Sequence, residues 1–166
     1  MDLAHIRRFL AEISESYVAW LKTRVRKLVC CRIAADILGS FLLAIAQPSI
    51  EIELVGGDTI FNNFVKPTAV HAWLIVGEYV VDPTVGQYTI DTALFGGEIE
   101  GLKYPQDDQI LVFHFETEEN VYRYRRVERL DFDHSYVEVA REIIQEQSDL
   151  SLLDTFRLYL DRAWPK

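Results

Sequence analysis

The stretch His71-Ala72-Trp73-Leu74-Ile75-Val76-Gly77-Glu78-Tyr79-Val80-Val81-Asp82-Pro83-Thr84 decides the fold. Two apolar runs flank Gly77-Glu78, and a Gly-X pair between such runs signals a two-residue hairpin. With that turn, Val76 faces Tyr79, Trp73 faces Asp82 and His71 faces Thr84. One face of the hairpin then carries His71, Trp73, Ile75, Val80, Asp82 and Thr84; the other carries Val70, Ala72, Leu74, Val76, Tyr79 and Val81. Both faces are largely apolar, so cover is expected on both sides. His71 and Asp82 become diagonal neighbours, roughly 7–8 Å apart at the backbone and within reach of long side chains. The carboxylate can take a hydrogen bond from one imidazole nitrogen, which leaves the other free to act as a base.

Such a base needs a nucleophile. The only two cysteines, Cys30 and Cys31, are adjacent and so too constrained for an ordinary disulfide. They open a run, residues 30–46, that is apolar nearly all round and is stopped by Gln47-Pro48-Ser49. A helix of that kind belongs in the middle of a domain. A thiol at a helix N-terminus, close to an imidazolium, has a depressed pKa and becomes the reactive thiolate. No G-x-S-x-G is present to offer a serine instead. The residues therefore point to a Cys–His–Asp set in chain order: Cys31, His71, Asp82.

The rest of the chain reads as an α+β pattern. Leu3, Ile6, Leu10, Ile13, Tyr17, Leu21, Val25 and Leu28 recur at helical spacing and predict an amphipathic helix over residues 3–28. Ile50, Ile52 and Leu54 alternate with Glu51 and Glu53, which predicts an edge-like or half-buried strand. Gly56-Gly57-Asp58 reads as its turn, with residues 59–65 as the partner strand. Residues 86–108 hold five Gly/Pro positions and little periodicity, and a loop that long in a compact domain tends to be functional. Residues 109–115 and 121–127 read as a hairpin around 116–120. Ser135 with Glu138, and Ser151 with Asp154, have capping-box spacing and open two final helices.

With 166 residues, the chain fits one domain: an N-terminal helix (1–28), a catalytic core (30–127) and C-terminal helices (133–164). The net charge of −9 is uneven: residues 1–32 carry seven Lys/Arg and three Asp/Glu, a net +4, and the remainder −13. An acidic body argues against nucleic acid as a partner. Arg7, Arg8 and Arg24 on the basic first helix are a candidate docking face for an acidic partner. No C-x-x-C or H-E-x-x-H occurs, so neither a metal nor a cofactor is expected. No apolar run is long enough for a membrane span, and the first residues lack signal-peptide character. A cytoplasmic location is expected, with export by another route left open.

Cys31-Arg-Ile-Ala-Ala-Asp-Ile-Leu, followed by His71-Ala-Trp and Asp82-Pro-Thr-Val-Gly-Gln-Tyr, resembles the transglutaminase-like branch of the papain-like cysteine enzymes, in particular small bacterial and phage members. In that superfamily the cysteine starts a buried helix, with a small residue four positions on and a leucine seven on. Ala35 and Leu38 fit those places for Cys31; Ala34 and Ile37 would fit them for Cys30. The resemblance spans about residues 28–90. It implies a papain-like core in which a central apolar helix packs on an antiparallel sheet with flanking helices. It also implies thiol-dependent acyl transfer on a protein or peptide amide, by a protease, deamidase or transglutaminase. Trp73, Thr84 and Gln87 are the implied substrate contacts. No Gln or Asn precedes Cys31 to serve as a side-chain oxyanion donor. The alternatives are a peptide-binding module on the same fold, without catalysis, and an interaction protein working through its first helix.

Overall fold

The computed structural model describes residues 1–24, 31–58, 71–84, 110–114 and 124–165. Among them, four helices and a five-stranded antiparallel sheet make an α+β fold. In chain order the elements are α1 (Leu3–Arg24), α2 (Cys31–Ile45), β1 (Ile52–Asp58), β2 (His71–Val76), β3 (Tyr79–Asp82), β4 (Leu111–His114), β5 (Arg125–Leu130), α3 (His134–Glu146) and α4 (Leu152–Ala163).

The hairpin adopts the expected register: Val76 pairs with Tyr79, Ile75 with Val80 and Leu74 with Val81. Gly77 has φ +57°, a left-handed conformation that glycine reaches without a Cβ penalty. The expected facing is also present. Leu74, Val76 and Val81 join one apolar cluster, and Trp73, Val80 and Ile75 join another on the opposite side of the sheet.

The first cluster is the main core, and α2 runs through it. Every residue from Ala34 to Leu42 is buried, so the helix is enclosed on all sides, as its uninterrupted apolar composition requires. It packs on β1 and β2 on one side and on α3 and α4 on the other. Phe41 lies 4.9 Å from Phe156 and 5.2 Å from Tyr159, ring to ring. The hydroxyl of Tyr17 donates to Ala34 O at 2.6 Å, and that of Tyr159 to Ile37 O at 2.8 Å. These bonds use the second lone pair of helical carbonyls, so two buried phenols are satisfied without breaking the helix. From α1, Ile6, Phe9, Leu10, Ile13, Tyr17, Val18 and Leu21 face this core, the predicted stripe widened by Phe9 and Val18. Residues 25–30, including Cys30 and the expected end of that helix, lie outside the described residues.

Four local expectations are corrected. First, Gly56, Gly57 and Asp58 do not turn the chain; they continue β1. A side chain at Gly57 would run into the Arg125 carbonyl oxygen and meet Trp73 Cη2 at 2.6 Å, so Gly57 marks a close approach. Between Gly56 and Gly57 the register with β5 slips by one residue, which is a bulge.

Second, β1 is not an edge strand. It lies between β2 and β5 and is buried along nearly its whole length. Glu53 could be buried because Arg126 and Arg129 of β5 meet its two oxygens at 2.6 and 2.9 Å. The proposed partner strand, residues 59–65, lies outside the described residues.

Third, β4 and β5 do not form a hairpin. The sheet order is β4-β3-β2-β1-β5, which places them on opposite edges. Fourth, Asp133, not Ser135, caps α3, accepting the Ser135 N–H at 2.9 Å. Ser151 caps α4 as its spacing indicates, accepting the Asp154 N–H at 3.2 Å.

Among the described residues no helix is long and apolar enough to cross a membrane. On the basic face of α1, Arg7 lies 4.5 Å over the Tyr79 ring and donates to its hydroxyl at 3.2 Å. Arg7 and Arg8 also line a cavity of about 560 Å³ with Leu10, Ile110 and Val112.

Candidate active site

Cys31 is the first residue of α2, and His71 the first of β2. α2 packs directly on β1 and β2, and this brings its N-terminus to the end of the sheet where His71 stands. Opposite His71 in β1 is Gly57. Asp82 is the last residue of β3, and a Pro83-Thr84 turn follows it.

The three side chains meet. His71 Nε2–H donates to Asp82 Oδ2 at 2.5 Å, and both groups are fully buried. The imidazole is also close enough to the Cys31 sulfur for each to shift the other's ionisation. Because Nε2 serves Asp82, Nδ1 is the nitrogen left for the sulfur. Cys31 itself is only partly buried, so the sulfur is the member of the set that solvent or a substrate can approach.

Electrostatics make these three residues a coupled charge system. Burial pushes the Cys31 thiol up, but the hydrogen bond and charge of His71, and the Ala72 N–H, bring it below its ordinary value against the opposing Asp82 charge. Burial pushes His71 down, but the charge and hydrogen bond of Asp82, and then those of Cys31, raise it to about 10. Burial pushes Asp82 up, and the His71 cation, the Tyr124 hydroxyl and the Thr84 N–H pull it below the usual carboxylate range. The arrangement therefore favours thiolate, imidazolium and carboxylate in a row.

Asp82 is held from all sides. Its Oδ1 accepts the Thr84 N–H at 2.9 Å and the Thr84 hydroxyl at 3.2 Å. Its Oδ2 accepts the Tyr124 hydroxyl at 2.5 Å besides His71. A buried carboxylate with four donors has its desolvation cost largely offset and its orientation set.

Of the substrate contacts that the resemblance implies, the structure describes Trp73 and Thr84, both buried beside the triad. Trp73 is 1% exposed and packs against Tyr124, edge to face at 5.0 Å, and His71 at 5.9 Å. Thr84 is buried and spends both its donors on Asp82. Each supports the site from inside. Gln87 and the long loop of residues 86–108 lie outside the described residues. Tyr124 is not singled out by the sequence: an aromatic residue inside the strand expected over residues 121–127 carries no local sign that it will meet a carboxylate 42 positions earlier.

Among the described residues no group of three or more His, Cys, Asp or Glu is placed to hold a metal ion. Compared with known proteins, the chain matches no family model, no curated protein and no solved structure.

Proposed function

We propose that this chain is a thiol-dependent acyl-transfer enzyme of the papain-like, transglutaminase-like kind, acting on a peptide bond or a glutamine side-chain amide. The observation that carries the reading is the buried His71 imidazole, bonded to Asp82 and coupled electrostatically to a partly exposed cysteine at a helix start. The antiparallel sheet packed on a buried α2, with Cys, His and Asp in that chain order, supports the papain-like core.

The Cys31 thiolate attacks the amide carbonyl carbon and forms a C–S bond as the π electrons move to oxygen. The free N–H groups at the start of α2, beginning with that of Cys31, offer that oxygen a donor. The oxyanion collapses, the C–N bond breaks, and the His71 imidazolium gives its Nδ1 proton to the leaving amine or ammonia. The neutral imidazole then deprotonates water, or an acceptor amine, which attacks the thioester. Thiolate leaves, and His71 is again protonated. Asp82 keeps the ring oriented and stabilises its cation throughout.

Iodoacetamide alkylation against pH, with the labelled cysteine mapped in wild type and His71→Ala, tests this without a substrate. Fast labelling of Cys31 well below the free-thiol pKa of about 8.5, lost in His71→Ala, supports the enzyme. An ordinary thiol profile that His71→Ala leaves unchanged sinks it and favours a binding module on the same fold.

A further inference from the structure

We propose that Tyr124 is a positioning residue of this site: by donating to the same Asp82 oxygen as His71, it holds Asp82 as an anion and limits how strongly Asp82 retains the His71 proton. The proposal rests on the acyl-transfer reading for its catalytic meaning, though the hydrogen-bond geometry stands by itself.

Tyr124 is 1% exposed and immediately precedes β5, which is separated from the strand of Asp82 by β2 and β1 in the sheet order. Its ring is wedged edge to face against Trp73 at 5.0 Å and Phe113 at 5.2 Å, so its hydroxyl has a fixed direction. That hydroxyl and the His71 imidazole both lie 2.5 Å from Asp82 Oδ2, while Oδ1 is occupied by Thr84. Two donors on one oxygen share its charge. What the phenol takes, the imidazole does not feel. Among the described residues, the titratable groups facing this carboxylate are His71 on β2, Cys31 on α2 and Tyr124 itself. The phenol proton is directed at Asp82 Oδ2, so the phenol acts as a donor to that carboxylate.

Tyr124→Phe keeps the ring and its contacts and removes one O–H. Without that donor Asp82 is more basic. It pulls harder on the His71 proton, so the imidazolium survives to higher pH. Asp82 also takes up a proton of its own at higher pH, and the acid limb of Cys31 reactivity moves the same way. Both limbs should shift alkaline by about one pH unit, the scale of one hydrogen bond to a charged group. Packing loss alone would lower stability or amplitude but leave the limbs in place.

The experiment is an NMR titration of the His71 imidazole, paired with the pH profile of Cys31 alkylation, in wild type and Tyr124→Phe. A parallel protein carries 3-fluorotyrosine at position 124, which keeps the O–H and makes it a stronger donor. The expected result is an upward shift in the phenylalanine variant and a downward shift in the fluorotyrosine protein. Should the phenylalanine variant fail to fold, the sign of the fluorotyrosine shift decides. Superimposable His71 titrations, or shifts of the same sign, overturn the role of Tyr124. An ordinary wild-type alkylation profile overturns the enzyme reading instead, and the His71 titration still judges the Tyr124–Asp82–His71 coupling.

Discussion

Two carboxylates are buried, one within the helical layer and one at the end of a sheet strand, and the protein treats them in opposite ways. Asp36 lies in α2 within the helical layer, where it accepts the Asp133 N–H on both oxygens, at 3.1 and 3.0 Å, and the Ser40 hydroxyl at 3.2 Å. Asp82 lies at the end of β3 with His71, Tyr124 and Thr84. Burial raises both. Asp36 has neutral donors and only a weak contribution from the Arg32 charge, and its carboxyl stays above the usual range. Asp82 has the His71 cation at 2.5 Å and ends below it. Hydrogen bonds from neutral groups orient a buried carboxylate, whereas a buried cation in contact decides its ionisation. The first carboxylate serves architecture, tying α2 to the turn before α3. The second is the counter-charge of the buried His71 imidazole beside Cys31.

The largest expected effect separates the site from the scaffold. Cys31→Ala should abolish acyl transfer, a loss of about 10⁴-fold or more, while leaving stability within about 1 kcal/mol. A peptide-amide hydrolysis assay beside a urea melt reads both; retained turnover would exclude Cys31 as nucleophile. Phe41→Ala should do the reverse. Removing a ring packed on Phe156 and Tyr159 costs about 3–5 kcal/mol, yet the folded fraction should keep the wild-type alkylation profile. A changed profile would mean that the helical layer tunes the site.

Asp82→Asn breaks the comparison at its centre. It leaves a buried imidazolium without its counter-charge and should destabilise by about 3 kcal/mol. Cys31 labelling should then move toward that of an ordinary thiol, and an unmoved profile would show that Asp82 does not act through His71. Asp36→Asn should be the mildest, within about 1 kcal/mol, since the amide oxygen can still accept from the Asp133 N–H and the Ser40 hydroxyl on one side and the substitution removes a buried charge.

Stability against pH separates the two carboxylates by sign. Asp82 has a lowered folded pKa, so its contribution is present above the unfolded value of 3.8 and is lost as pH falls through the folded one. Asp36 has a raised folded pKa, so its contribution is present below 3.8 and is lost as pH rises through the folded value. His71, raised from 6.5 to about 10, stabilises fully below 6.5 and loses that contribution as pH rises through about 10. Urea melts from pH 3 to 11 should therefore show Asp82→Asn flattening the acid limb and Asp36→Asn steepening it. Identical limbs in the two variants would erase the distinction.

The hairpin of residues 71–84 was legible because its information is local. A glycine with positive φ, two apolar runs and a period of two set the register, and the register set the His71–Asp82 diagonal. The helix stripe of α1, the enclosed character of α2 and the Ser151 cap were legible for the same reason: each is written within one or two turns of chain. The edges of the sheet were not. Residues 109–115 and 121–127 look like neighbours along the chain, but β4 pairs with β3 and β5 with β1. That choice depends on which apolar faces must be covered across the whole sheet, information that no window of ten residues contains. Gly56-Gly57 carried the ordinary sign of a turn, and only the nearby Trp73 ring and Arg125 carbonyl reveal that Gly57 is there for closeness.

Residue chemistry and period were therefore enough to name the thiol, the imidazole and the carboxylate, and to pair the last two. Tertiary structure added the rest: that α2 delivers Cys31 to His71, that Trp73 and Thr84 serve the site from within, and that Tyr124 crosses from the far edge to share Asp82. The physical reason is range. Dihedral preference and side-chain period act over a few residues. The placement of a buried polar group depends on every donor the fold brings within about 3 Å of it.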